Sequence, residues 1–239
     1  MIPSTPVERF WQYCRAISTG EQVAPRRIQR AVEKTFALRD DPDVYLDEDV
    51  LTSFVEMAEQ FVIQDGHSMN GQQIQLMPWQ GWVLGSSLAW KYTEDNARVC
   101  KQAWVEVARG AGKSCMAGLV AIYEAVHNPG CTIAILAGKQ DQAALILDSV
   151  KMFLQHTDGH GLDFNIKATE VTIGASRINA LSAKVHTLDG LRCSLYLCDE
   201  GHEWRDDVFQ KVLSALPKSR DSMMISLSTP GGVDLGLES

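Results

Sequence analysis

No stretch of the 239-residue chain approaches about 18 consecutive uncharged apolar residues, so the sequence predicts no membrane-spanning helix. The opening segment, MIPSTPVERFWQYCR, lacks the basic-then-apolar layout of a secretory leader, which points to an intracellular protein. No pair among the six cysteines (Cys14, Cys100, Cys115, Cys131, Cys193 and Cys198) has C-x-x-C spacing. Two of them fall in apolar runs of strand type, and the set reads as reduced, mostly buried small hydrophobes rather than metal ligands. Positive charge is also short. The formal net charge of −8 argues against a generic coat for nucleic acid, though not against a local basic surface, because attraction to phosphate depends on where charge sits. Internal repeats, low-complexity tracts and long linkers are absent as well.

What is present suffices for a globular core, with 45% hydrophobic residues over a length that can bury them. Residues 1–75 read as a helical and irregular appendage. Within it LDEDVLTSFVEMAEQFVIQ sets Val50, Leu51, Phe54, Val55, Met57, Ala58, Phe61 and Val62 on an apolar stripe at helical spacing. QDGHSMNGQQ then supplies a turn-rich connection. The segment PRRIQRAVEK would gather Arg26, Arg27, Arg30 and Lys34 on one side of a helix, either as a solvated face or as a local basic surface.

Residues 76–239 read as the α/β core, and from residue 101 the texture changes: short apolar runs alternate with helical segments, as in a parallel sheet covered on both faces. Strands are expected near 103–108, 131–137, 170–173, 177–181, 194–198 and 223–228, and helices at about 113–127, 140–156 and 205–215. VTIGASRINAL, with Gly174 between two alternating runs, has the form of a hairpin inserted between sheet elements.

Chemistry concentrates in VARGAGKS. Gly112, Lys113 and Ser114 close a G-x-x-x-x-G-K-[ST] phosphate loop whose first glycine is missing, since Val107 stands there. The loop lies between a strand pattern and a helix pattern, the context in which Gly110, Ala111 and Gly112 can aim backbone N–H groups at phosphate. Lys113 would then reach the β- and γ-phosphates, and Ser114 would ligate Mg²⁺. A ligand-free loop of small residues is the alternative. Arg109 could fold over the phosphates and stabilise charge on the transferring group, or merely flank the loop.

Downstream, CSLYLCDEGHEW ends a buried-type strand in Asp199 and Glu200. Asp199 suits Mg²⁺ held through water, and Glu200 suits a group that accepts the attacking water's proton. SLSTPGG ends another strand with Ser228 and Thr229, hydroxyls that could sense the γ-phosphate at a strand's carboxyl end or simply form a turn. About thirty residues before the loop, MPWQ carries Gln80, whose amide could donate to and accept from adenine at once, although by pattern alone Trp79 reads as core and Gln80 as surface.

In their order and spacing, MPWQ, VARGAGKS, AGKQDQA, SAKVHTLDGLRCSLYLCDEGHEW and SLSTPGG resemble the ATPase domain of the large terminase subunit, the DNA-packaging motor of tailed bacteriophages. The resemblance spans roughly residues 75–235. It implies an α/β, RecA-like P-loop NTPase core of the additional-strand, catalytic-glutamate division, with ATP and Mg²⁺ as cofactors. By the same resemblance Gln80 reads adenine and Arg109 stands inside a degenerate phosphate loop, so Val107 is a variant and not an accident. Lys113 and Ser114 bind phosphate and Mg²⁺, Asp199 and Glu200 coordinate Mg²⁺ and activate water, and Ser228 and Thr229 couple hydrolysis to movement. The implied partners are double-stranded DNA, a portal protein, a small terminase subunit and further copies in a ring, in the host cytoplasm, with Arg177, Arg192 or Arg205 acting in trans. Asp189 and Gly190 fall just before the acidic strand and receive no role. The chain ends at Ser239 with no carboxylate cluster left to hold two metals, so the family's usual nuclease is not expected of it.

Rival readings are a helicase-like ATPase, a nucleotide-dependent assembly switch without packaging, and a small-molecule kinase. The first needs a second RecA-like domain, the second is opposed by a poised Glu200, and the third needs a phosphoacceptor pocket with lid arginines. His156 and His160 read as a helix end rather than a metal pair. Trp11, Trp90 and Trp204 read as packing groups before base-stacking ones.

Overall fold

The computed structural model describes residues 4–64, 70–156, 161–188, 190–218 and 220–230. They fall into two compact units, 1–100 and 101–239. Residues 76–100 lie in the first unit, and the second begins at residue 101, where the texture of the sequence changes.

That first unit holds helices α1 (Pro6–Ser18), α2 (Arg26–Asp40), α3 (Glu48–Ala58) and α4 (Pro78–Leu88), with an antiparallel ribbon of β1 (Val44–Leu46) and β2 (Trp90–Tyr92). Apolar side chains at helical spacing make its core: Phe10, Cys14 and Ile17 of α1 meet Leu51, Phe54 and Val55 of α3 and Trp82, Leu84 and Leu88 of α4. Helix α3 stops at Ala58, so Phe61 is buried from the following turn rather than from the expected longer stripe. Thr5 caps α1 in a reciprocal box with Glu8, and Asp47 caps α3 by accepting from the Val50 N–H. Trp90 is fully buried and Trp11 packs edge-on against it.

The second unit is built on a seven-stranded sheet. In chain order its elements are β3 (Gln102–Glu106), α5 (Lys113–His127), β4 (Thr132–Ala137), α6 (Gln140–His156), β5 (Phe164–Ile166), β6 (Glu170–Ile173), β7 (Ser176–Ser182), α7 (Val185–Leu188), β8 (Leu195–Asp199), α8 (Asp206–Ala215) and β9 (Met223–Ser228). The spatial order is β3-β9-β8-β4-β7-β6-β5, parallel from β3 through β7. The hairpin expected around Gly174 is present: β6 pairs antiparallel with β7 across Gly174–Ala175, and β5 extends it. Strand β5 has no signal in the sequence, because three residues are too few to show alternation.

Strands β4, β8 and β9 are mostly apolar and almost wholly buried because helices cover both faces. Ala134, Leu136, Tyr196, Cys198 and Met224 pack with Val208 and Val212 of α8 on one face. The alternate residues Ile133, Ile135 and Leu197 turn to the other face, where α5 and α6 lie. Helix α5 is buried all round from Met116 to Ala125, which fixes its first turn, and so the loop before it, firmly against the sheet. All six cysteines are free thiols, and no helix among the described residues is long and apolar enough to cross a membrane.

Candidate functional site

Parallel register brings three strand ends together. Residue pairs Glu106–Ser228 and Asp199–Leu227 set the carboxyl ends of β3 and β8 on either side of β9. Pairing continues past the strands, with Val107 N–H donating to Ser228 O at 3.1 Å and Glu200 N–H to Leu227 O at 2.8 Å. The phosphate-loop candidate, the acidic pair and the Ser228–Thr229 pair therefore share one edge of the sheet, where ligands of open α/β sheets are received.

In the loop, Gly110 and Gly112 have φ of 79° and 83°, left-handed conformations that favour glycine over any side chain bearing a β-carbon. They turn the chain sharply enough for α5 to begin at Lys113. Ala111 lies between them and Ser114 follows in the first turn, both half-buried. Arg109 is exposed and, among the described residues, makes no hydrogen bond or ion pair.

Lys113 points across the site: its Nζ is 3.6 Å from Glu200 Oε1, and the two side chains are 13% and 22% exposed. Glu200 itself has a φ of 46°, an uncommon conformation for a residue with a side chain, and one of the kind found where function sets the geometry. That turn redirects the chain out of β8 and aims the carboxylate at the end of β9. There its Oε2 accepts from the Thr229 N–H at 2.8 Å and from the Thr229 hydroxyl at 3.1 Å.

The two acids are held in different electrostatic states. Burial and the neighbouring Glu200 charge push the Asp199 carboxyl up to about 6, against the pull of Lys113. Burial works on Glu200 in the same direction, but the Thr229 N–H and hydroxyl, Lys113 and His202 outweigh it and hold that carboxyl below its usual range. Glu200 is thus an anion at neutral pH with donors around it, while Asp199 is an anion short of compensation. Asp199 and Ser114 offer hard oxygen donors of the kind magnesium takes. Among the described residues no group of three or more His, Cys, Asp or Glu could hold a metal ion.

Gln80 belongs to the first unit, on the opening turn of α4, where its Oε1 accepts from the Met77 N–H at 2.9 Å. Arg177, Arg192 and Arg205 do not enter the site; Arg205 pairs with Asp207 at 2.8 Å. His156 ends α6, while His160, Asp189 and the glycines after Pro230 lie outside the described residues. Trp204 packs beside the α8 cluster and donates its Nε1–H to the Asp199 carbonyl at 3.2 Å, a structural use. Sequence reasoning missed His202, whose ring nitrogen Nδ1 hydrogen-bonds Ser228 Oγ and lies 3.4 Å from Glu200 Oε2. Its neighbours in the chain do not suggest this. The short 3₁₀ turn Gly201–Glu203 is what brings it there.

Residues 78–236 match the family model described as "Terminase large subunit, ATPase domain". A comparison with curated protein sequences gave no match. Among solved structures, the chain is similar to the large terminase of bacteriophage HK97, with a TM-score of 0.60, 18% identity, and coverage of 77% of this chain and 38% of that one. It is also similar to the large terminase ATPase domain of Thermus phage P74-26, with a TM-score of 0.51, 20% identity, and coverage of 58% and 63%. The chain thus spans well under half of the HK97 protein's length and shares its fold.

Proposed function

The chain belongs to the family of terminase large-subunit ATPase domains, and on that premise we propose that it hydrolyses ATP to drive double-stranded DNA into a viral procapsid. The observation that carries this reading is the meeting of Lys113, Glu200 and the Ser228–Thr229 pair at adjacent ends of parallel strands. A loop lysine, a deprotonated carboxylate and a pair of strand-end hydroxyls in that order suit phosphoryl transfer to water.

In this reading the N–H groups around Gly110, Ala111 and Gly112 hold the β- and γ-phosphates, and Lys113 leaves Glu200 to pair with them. Arg109, exposed above the loop, closes on the γ-phosphoryl group. Ser114 and Asp199 hold Mg²⁺, which when bound neutralises charge on the phosphate oxygens. Glu200 orients the attacking water and takes its proton. Gln80, within the span of the family match, reads the adenine edge. Ser228 and Thr229 pass the change at Glu200 into strand β9. Duplex DNA, a portal protein, a small terminase subunit and further copies of the chain in a ring are the proposed partners, in the cytoplasm of an infected host. One of Arg177, Arg192 and Arg205 would enter a neighbour's site.

The test is steady-state ATP hydrolysis at several protein concentrations, with and without long duplex DNA, beside Lys113→Ala as the blank. Turnover rising faster than linearly with protein, and again with DNA, is the expected result. Turnover no greater than the blank would overturn the ATPase reading. Linear turnover indifferent to DNA would leave an ATPase whose coupling to DNA is not carried by this chain.

A further inference from the structure

The two oxygens of the Glu200 carboxylate are held unequally. Oε2 accepts from the Thr229 N–H at 2.8 Å and the Thr229 hydroxyl at 3.1 Å, and faces the Ser228 hydroxyl and His202 Nδ1, each at 3.4 Å. Among the described residues Oε1 meets only the shared Thr229 hydroxyl at 3.2 Å and Lys113 Nζ at 3.6 Å. One oxygen is fastened to the end of β9. The other is restrained by a lysine that a phosphate would draw away.

His202 completes the fastening. Its Nδ1 faces two oxygens, and the carboxylate one can only accept, so the proton belongs on Nδ1. Donation from Nδ1–H to Ser228 Oγ occupies that oxygen as an acceptor and leaves its own proton for Glu200 Oε2 or for the Thr229 carbonyl at 3.2 Å. The main chain that carries the ring is held in place. The Glu203 N–H donates to the Glu200 carbonyl at 2.9 Å, closing the turn. Gly201 lies so tightly on β9 that a β-carbon there would stand 2.6 Å from Ser226 Oγ.

Resting on the ATPase reading, we propose that His202 is a positioning residue for hydrolysis: through Ser228 it pins Glu200 Oε2 to the end of β9, so that Oε1 is the oxygen presented to the attacking water. Displacement of Ser228 and Thr229 then moves the base directly, without a change in Lys113 or in the phosphate loop.

Three single variants of the full chain test this. An asparagine amide nitrogen can occupy the position of Nδ1, whereas a glutamine amide nitrogen extends toward that of Nε2. His202→Ala and His202→Gln are expected to lower kcat on the order of tenfold or more, the scale found when a supporting hydrogen bond is removed. KM for ATP should stay within about twofold of the parent, and His202→Asn should recover most of kcat. Parental kcat in His202→Ala, equal impairment in the asparagine and glutamine variants, or a loss confined to KM would each overturn the proposal. The asparagine–glutamine comparison decides the matter even if His202→Ala does not fold. A parent chain no more active than Lys113→Ala would instead remove the ATPase reading, and this proposal with it.

Discussion

Lys113 Nζ and Glu200 Oε1 are 3.6 Å apart, so the lysine proposed to hold phosphate and the carboxylate proposed to activate water partly neutralise each other. In the proposed mechanism a phosphate entering the loop competes with Glu200 for Lys113, and binding thereby releases the base. Glu200→Gln separates the two effects. Its amide oxygen can still accept from Thr229, but it takes no proton, so turnover should fall by ~10²–10⁴-fold. Freed of its partner, Lys113 should bind ATP at least as well, up to about fivefold tighter on the scale of a partly exposed ion pair. Calorimetric titration beside a turnover assay checks both. Parental turnover, or much weaker ATP binding, would sink the assignment.

Gly110 and Gly201 are required for different physical reasons, and alanine tells them apart. At Gly110 no atom lies within 4 Å of the place a β-carbon would take, so the penalty is the left-handed backbone alone, about 1 kcal/mol. That change should weaken nucleotide binding through loop geometry. At Gly201 the added carbon meets buried Ser226, at a cost of about 1–3 kcal/mol, and should lift the turn carrying His202 off β9. Gly201→Ala should therefore lose kcat while ATP affinity stays near the parent's, and ATP titration of both variants beside a turnover assay checks the distinction.

Ser176 ties three segments together. Its buried hydroxyl accepts from the Gly130 N–H at 3.0 Å and donates to the Ala125 carbonyl at 2.8 Å, joining the end of α5 and the following loop to β7. Ser176→Ala leaves both groups without this partner in the interior. A loss of about 1–3 kcal/mol in urea unfolding is expected, with little change in KM for ATP.

Asp47 gives the first unit a pH dependence of known sign. Burial alone would raise its carboxyl, but Lys91 at 2.7 Å and the Val50 and Asp49 N–H groups outweigh that and lower it. A carboxylate lowered by folding stabilises the native state above its unfolded value, near pH 4, and that contribution fades as pH falls through the lower folded value. Asp47→Asn keeps an N-cap acceptor yet loses the ion pair. It should melt below the parent at pH 7 and approach it as pH drops toward 3, by thermal unfolding across pH.

Much of the second unit is legible in the sequence. Helices 113–127 and 140–156 have the expected bounds because each starts beside a Gly-containing turn and keeps an apolar pattern to its end. The parallel strands are equally plain, since strands covered on both faces must be apolar throughout. The residue types of the phosphate loop, the acidic pair and the strand-end hydroxyls can be named from spacing and order. Strand β5 and the ribbon of β1 and β2 cannot, because segments of three residues carry no period.

Local pattern along the chain is thus enough to single out the candidate groups for phosphate chemistry, and most of the strands and helices that carry them. How those groups meet is a property of the folded sheet. The insertion of β9 between β3 and β8 makes Thr229 the donor to Glu200, and no local pattern encodes the order of strands in a sheet. The left-handed Glu200 and the tight seat of Gly201 then carry His202 to Ser228. Those contacts join residues more than twenty positions apart, and they depend on register and packing that arise when the sheet assembles.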